Sequence, residues 1–186
     1  LGLERASGNF ALIPIAVKDR RTSIKRLAAN WSWVLLGNLL GSVTYAYLYC
    51  IVATKMGAID PATIPALQRT ITIAETKTLE YAKLGLDGTI TAFVSAMLCN
   101  WMVTLGAVMA FTSTTTGGKI IAMWLPIMTF FGLGYEHAIV NMFVIPAGMW
   151  LGANITVADW WLWNGIPVIA GNLVGGMMFT GFMLYW

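Results

Sequence analysis

Residues 134 to 146 read GYEHAIVNMFVIP and place an acid and the only histidine of the chain in the middle of apolar sequence. The surrounding run, 120 to 148, is 29 residues long and otherwise free of charge. An ionised carboxylate or an unpartnered imidazole is costly in hydrocarbon, so such residues face protein or an aqueous path and mark functional positions. Gly132 and Gly134 precede the pair and Pro146 follows it, which is the pattern of an interrupted helix whose freed backbone amides need other partners. Glu136 is suited to accept them as structural support. A lone imidazole beside a membrane acid reads as a functional group rather than as a core histidine.

The same motif stands near the start of the chain. LERASGNFALIPIA at 3 to 16 aligns without a gap on YEHAIVNMFVIPAG at 135 to 148, pairing Glu4, Asn9 and Pro14 with Glu136, Asn141 and Pro146 at an offset of 132. NWSWVLLGNLLG from Asn30 aligns on NGIPVIAGNLVG from Asn164 at an offset of 134, pairing Asn38 with Asn172, and Gly37 and Gly41 with Gly171 and Gly175. Two motifs in one order at nearly one offset indicate a duplicated architecture. By the repeat, Glu4 supports a second broken helix, with Asn38 and Asn172 as further partners on the following spans. The glycine pairs read as small-residue faces that let helices approach closely.

Composition agrees with a membrane setting. The 186 residues are 58% hydrophobic and 10% charged, against roughly 25% charged in a soluble domain. Runs 27 to 54, 88 to 118, 138 to 158 and 160 to 186 lack Asp, Glu, Lys and Arg, and about 20 apolar residues cross ~30 Å of hydrocarbon. Five of the eleven basic residues, Lys18, Arg20, Arg21, Lys25 and Arg26, crowd one short stretch. That is the positive-inside signature and makes loop 17 to 27 cytoplasmic. Spans 28 to 53, 88 to 111, 120 to 148 and 161 to 186 then alternate without conflict.

Three spans per half force the second half to enter in the opposite sense, so an all-α integral membrane protein with an inverted repeat of three plus three helices is expected, each half containing a broken helix. The single transmembrane domain over 1–186 divides into the remainder of the first repeat (1–54), an outer connecting segment (55–87) and the second repeat (88–186). Residues 88 to 132 have no counterpart before residue 1, so the first half is expected to be incomplete and the chain an N-terminally truncated fragment. The two cysteines, Cys50 and Cys99, lie in separate apolar runs and read as packing residues. One histidine excludes a bis-histidine haem, two separated cysteines exclude an iron–sulfur cluster, and no nucleophile triad is visible. No enzyme, metal or cofactor is therefore expected, and the basic residues lie on no soluble face that would suit nucleic acid.

At GYEHAIVNMFVIP the sequence resembles the formate/nitrite transporter family, whose fifth span carries a Glu-His-x-x-x-Asn-Met signature. LCNWMVTLGAV at 98 to 108, NWSWVLLGNLLG and IPVIAGNLVGG at 166 to 176 resemble its fourth, third and sixth spans. The resemblance implies an aquaporin-like fold, a homopentamer, and a pore in each protomer for small monovalent anions such as formate, nitrite, hydrosulfide or lactate; the cost of a bare anion in hydrocarbon makes proton-coupled passage the expectation. It implies that His137 is the central pore histidine, Asn100 a pore asparagine and Phe130 an apolar constriction seven residues before the histidine. Ser7 stands where the family has a pore threonine, and Arg5 replaces an apolar residue, which leaves room for a transport-inactive scaffold or sensor. A vestibule lysine is matched by Lys83 on spacing or by Lys77 on its AETK context, with Lys83 favoured.

Overall fold

The computed structural model describes residues 6 to 185, the side chain of Leu184 excepted, so Glu4 and Arg5 lie outside the described residues. All regular structure among the described residues is helical. Helices α1 (Ala6–Lys18), α2 (Ile24–Ala53), α3 (Pro65–Thr76), α4 (Leu79–Leu84), α5 (Leu86–Thr112), α6 (Thr116–Gly132) and α7 (Ala138–Leu151) follow in order. The last stretch is helical throughout: α8 (Val157–Trp160), a π-turn Trp161–Gly165, α9 (Ile166–Gly176), a π-turn Met177–Phe182 and α10 (Met183–Tyr185). Among the described residues, three helices are long and apolar enough to cross a membrane, Ile24–Ala53, Leu86–Thr112 and Val157–Phe182.

The run 120 to 148 is broken where its glycines announce a break. Gly134 adopts a left-handed φ of 71°, a conformation that costs glycine nothing. It ends α6 in a Schellman pattern, with Tyr135 N–H donating to the Phe130 carbonyl at 3.0 Å and Gly134 N–H to that of Phe131 at 3.1 Å. Tyr135, Glu136 and His137 form a non-helical link, and α7 starts at Ala138. Pro146 sits inside α7 rather than at the break.

Contacts divide the chain into two units, the first comprising 1–35, 93–137 and 168–186 and the second 36–92 and 138–167. In the first unit α9 lies tightly on α5. A β-carbon at Gly171 or Gly175 would run into the carbonyl oxygens of Phe93 and Met97, so these glycines make the close approach their spacing suggests. Their repeat counterparts differ: nothing lies within 4 Å of a β-carbon built on Gly37 or Gly41 among the described residues.

In the second unit Ala46, Cys50, Leu67, Ala147 and Leu151 form a core flanked by Ile71 and Phe143. Cys50 is a packing residue, its thiol 3.6 Å from the Ala147 carbonyl. The segment 55 to 87 is more than a connection. It folds into α3 and α4, and α3 buries Leu67 and Ala74, the Ala74 methyl lying against Gly148 of α7.

Two side-chain hydrogen bonds fall on the aligned motifs. Asn9 Nδ2 donates to Asn30 Oδ1 at 3.0 Å in the first unit, and Asn141 Nδ2 donates to Asn164 Oδ1 at 2.9 Å in the second. The four residues are those that the two sequence alignments place in register. Each bond ties a short helix, α1 or α7, to the long helical stretch that follows it in its own repeat.

Candidate functional site

Four of the predicted pore residues gather in the first unit. His137 is 8% exposed, and its ring stacks on Phe130 with centroids 5.5 Å apart and planes 14° from parallel. Phe130 is itself buried and stacks on Phe131 at 4.6 Å. The Schellman turn explains the pairing, because it folds the link after α6 back over the last turn that carries Phe130.

Asn100 is fully buried at 0% exposure. Its Nδ2 donates to two main-chain carbonyls, of Ser7 in α1 at 3.2 Å and of Asn172 in α9 at 2.6 Å. Both partners are acceptors, which fixes the amide nitrogen on that side and the oxygen on the other. Asn100 Oδ1 has no hydrogen-bond partner among the described residues. Leaving a buried acceptor unsatisfied costs about 1–3 kcal/mol, so this position calls for a donor that the described residues do not supply. Packing around the amide is close, since a methyl at Gly176 would stand 2.5 Å from Asn100 Nδ2.

The network continues to the interruption. Asn172 Nδ2 donates to the carbonyls of Ala96 at 2.8 Å and Glu136 at 3.0 Å, and Glu136 N–H donates to Ser95 Oγ at 3.1 Å. The peptide just before His137 is therefore held by both α5 and α9. Thr104 Oγ1 donates to the Asn100 carbonyl at 2.7 Å and lies 2.6 Å from Thr180 Oγ1. Ser7, Asn100, Asn172 and Glu136 thus form one buried chain of contacts. Glu136 is buried one residue ahead of His137.

The remaining predicted residues fall elsewhere. Asn38 belongs to the second unit and is half-buried, unlike its buried counterpart Asn172, and its proposed partner Glu4 lies outside the described residues. Lys83 is also in the second unit, exposed on α4 and paired with Glu80 at 2.6 Å. Lys77 is half-buried, with its carbonyl accepting from Asn164 Nδ2 at 2.9 Å. Sequence reasoning missed Thr104, Thr180 and the two Asn–Asn pairs. The pairs had a signal, since all four asparagines align in the repeat, whereas a single threonine in an apolar run has none.

Long apolar helices, an interrupted helix and a buried polar chain around one imidazole define a multi-pass integral membrane protein. The family model described as formate/nitrite transporter matches residues 1–186, and the chain belongs to that family, one of transporters rather than enzymes. It is 40% identical to a "Probable formate transporter" of Methanothermobacter thermautotrophicus over the whole chain and 68% of that protein. Among solved structures it is similar to an "FNT family ion channel", with TM-score 0.79 and 29% identity over 98% of this chain and 68% of that one. A structure described as "Pentameric formate channel with formate bound" matches with TM-score 0.67 and 26% identity, covering 87% of this chain and 66% of that one. The chain spans about two thirds of the length of these relatives.

Proposed function

We propose that the full-length protein carries small monovalent weak-acid anions, formate, nitrite or others of that size, across the membrane together with a proton. The path passes Phe130, His137, Asn100 and Ser7. The observation that carries this reading is the seat of His137: the one imidazole of the chain stands at a helix interruption, nearly buried against an aromatic ring. The buried acceptor Asn100 Oδ1 supports it, because an undissociated acid brings the O–H donor that this oxygen lacks.

Magnitudes favour a protonated permeant. Moving a bare carboxylate-sized anion into a low-dielectric interior costs on the order of 20 kcal/mol in the idealised limit. Protonating an acid of pKa about 4 at pH 7 costs roughly 4 kcal/mol at 1.36 kcal/mol per unit. An apolar constriction such as Phe130 therefore passes the neutral acid far more readily than the anion. His137 gives or orients the proton, and Ser7 and Asn100 hydrogen-bond the permeant.

The supporting scaffold is read as an inverted, aquaporin-like repeat in which Glu4 and Glu136, with Asn38 and Asn172, brace the two interruptions. The repeated Asn–Asn bond supports that duplication. Loop 17 to 27 faces the cytoplasm, and one lysine, Lys83 by spacing or else Lys77, attracts anions at the other mouth. The similarity to a pentameric formate channel supports a homopentamer with one path per protomer.

The test is flux into proteoliposomes that hold the full-length protein and an internal pH dye. An inward proton gradient should accelerate formate entry, and the lumen should acidify in step with it. Formate entry that ignores the gradient and leaves the lumen unchanged would contradict proton coupling while leaving anion transport intact.

A further inference from the structure

The basic turn between α1 and α2 carries more charge than its surroundings can neutralise. Arg20, Arg21, Lys25 and Arg26 are exposed and make no ion pair among the described residues. The one acid in the turn is already engaged, because Asp19 Oδ1 accepts from the Tyr185 hydroxyl at 2.7 Å. Lys18 is spoken for as well, its ammonium 4.0 Å from the Tyr185 ring centroid. Arg20 holds a left-handed φ of 57°, and Ser23 caps the start of α2, its hydroxyl accepting from Arg26 N–H at 3.3 Å. The turn is thus a fixed one that holds four cations out from the protein.

The imbalance is local. The described part of the first unit has Lys18, Arg20, Arg21, Lys25, Arg26 and Lys119 against Asp19 and Glu136. The second unit has Lys55, Arg69, Lys77 and Lys83 against Asp60, Glu75, Glu80, Asp87 and Asp159. Apolar surface adjoins the cations. Ile24, between Arg21 and Lys25 at the start of α2, is 72% exposed.

We propose that this turn binds the headgroup of an anionic phospholipid. Arg20, Arg21, Lys25 and Arg26 take the phosphodiester oxygens, and Ile24 meets the upper part of an acyl chain. Clusters of this size beside a span suit anionic lipid, and a soluble anion would leave Ile24 without an apolar partner. The bound lipid steadies the α1–α2 pair, which is otherwise held by the Asn9–Asn30 bond, by Trp31 Nε1 donating to the Asn9 carbonyl at 3.3 Å, and by the Phe10–Trp31 ring contact. Since α1 also carries Ser7, lipid occupancy would steady one wall of the polar chain. The inference stands apart from the transport reading, because its readout is stability rather than flux.

The test uses purified full-length protein in neutral detergent, titrated with phosphatidylglycerol, with phosphatidylcholine and with inorganic phosphate. Phosphatidylglycerol should raise the midpoint of thermal unfolding by several degrees, and the other two should not. Lipid-bound species in native mass spectra should fall at least tenfold for Arg20→Gln/Arg21→Gln/Lys25→Gln/Arg26→Gln. The milder Arg20→Gln/Arg21→Gln serves if the fourfold variant does not fold, with a smaller fall in the same direction. Equal stabilisation by phosphatidylcholine or by inorganic phosphate would overturn the proposal, as would an unchanged response in both variants.

Discussion

Asn100 gives its amide nitrogen to two carbonyls and leaves its oxygen without a donor, so its two halves have separate consequences. Replacing it by Leu strips the Ser7 and Asn172 carbonyls of a buried donor and should destabilise the full-length protein by about 2–3 kcal/mol, read as a lowered unfolding midpoint. The same change removes the acceptor offered to the permeant, so formate flux per folded protein should fall at least tenfold. Flux that merely tracks the folded fraction would limit Asn100 to packing. The vestibule role proposed for Lys83 is tested on a similar argument. The Lys83 charge is offset by Glu80 on an exposed surface, where an ion pair contributes about 0–1 kcal/mol, so Lys83→Ala should leave the unfolding midpoint nearly unchanged while it lowers the apparent affinity for formate; an unchanged affinity would remove Lys83 from that role. At this scale His137, Phe130 and Asn100 were legible because each breaks the pattern of an apolar run or sits in a family motif. Thr104 and Thr180 were not, because a lone hydroxyl in such a run says nothing about what it will face.

Among the elements, the break between α6 and α7 followed from Gly134 and the Glu-His pair, and the structure places it there with the left-handed glycine the turn requires. The segment 55 to 87 was harder to read. Its charges mark an exposed stretch, and the burial of Leu67 and Ala74 against α7 depends on partners some 75 residues away in sequence. The glycine faces also depend on a partner: Gly171 and Gly175 are pressed on Phe93 and Met97 of α5, within the stretch 88 to 132 that has no repeat counterpart in this sequence, and Gly37 and Gly41 are open among the described residues. A β-carbon at Gly175 would meet a main-chain carbonyl, which cannot swing aside as a side chain can. Gly175→Ala should therefore cost about 1–3 kcal/mol, measured as a loss of thermal stability. The Asn pairs make a parallel prediction. A double-mutant cycle on Asn141 and Asn164, each changed to Leu, should give a coupling of about 0.6–1.7 kcal/mol, the range for hydrogen bonds between membrane helices. Zero coupling would mean that the bond contributes nothing to holding α7.

For the whole molecule, charge-free runs and a duplicated motif were enough to read an all-helical membrane protein, and similarity to solved channels over 98% of the chain bears out that architecture. An association between copies would leave no mark in the sequence, because an apolar face suits a neighbouring copy and lipid alike. A pentamer should appear as a particle of five protomer masses by light scattering in detergent, and a monomer would contradict that assignment. The central claim, that permeant acids pass a single imidazole at the interrupted helix, is tested most directly by formate flux in proteoliposomes with His137→Phe. That substitution keeps an aromatic ring against Phe130 and removes the groups that exchange a proton. With equal amounts of folded protein, the account predicts that flux falls to the level of protein-free vesicles. Flux equal to the unsubstituted protein, with the same dependence on pH, would contradict it.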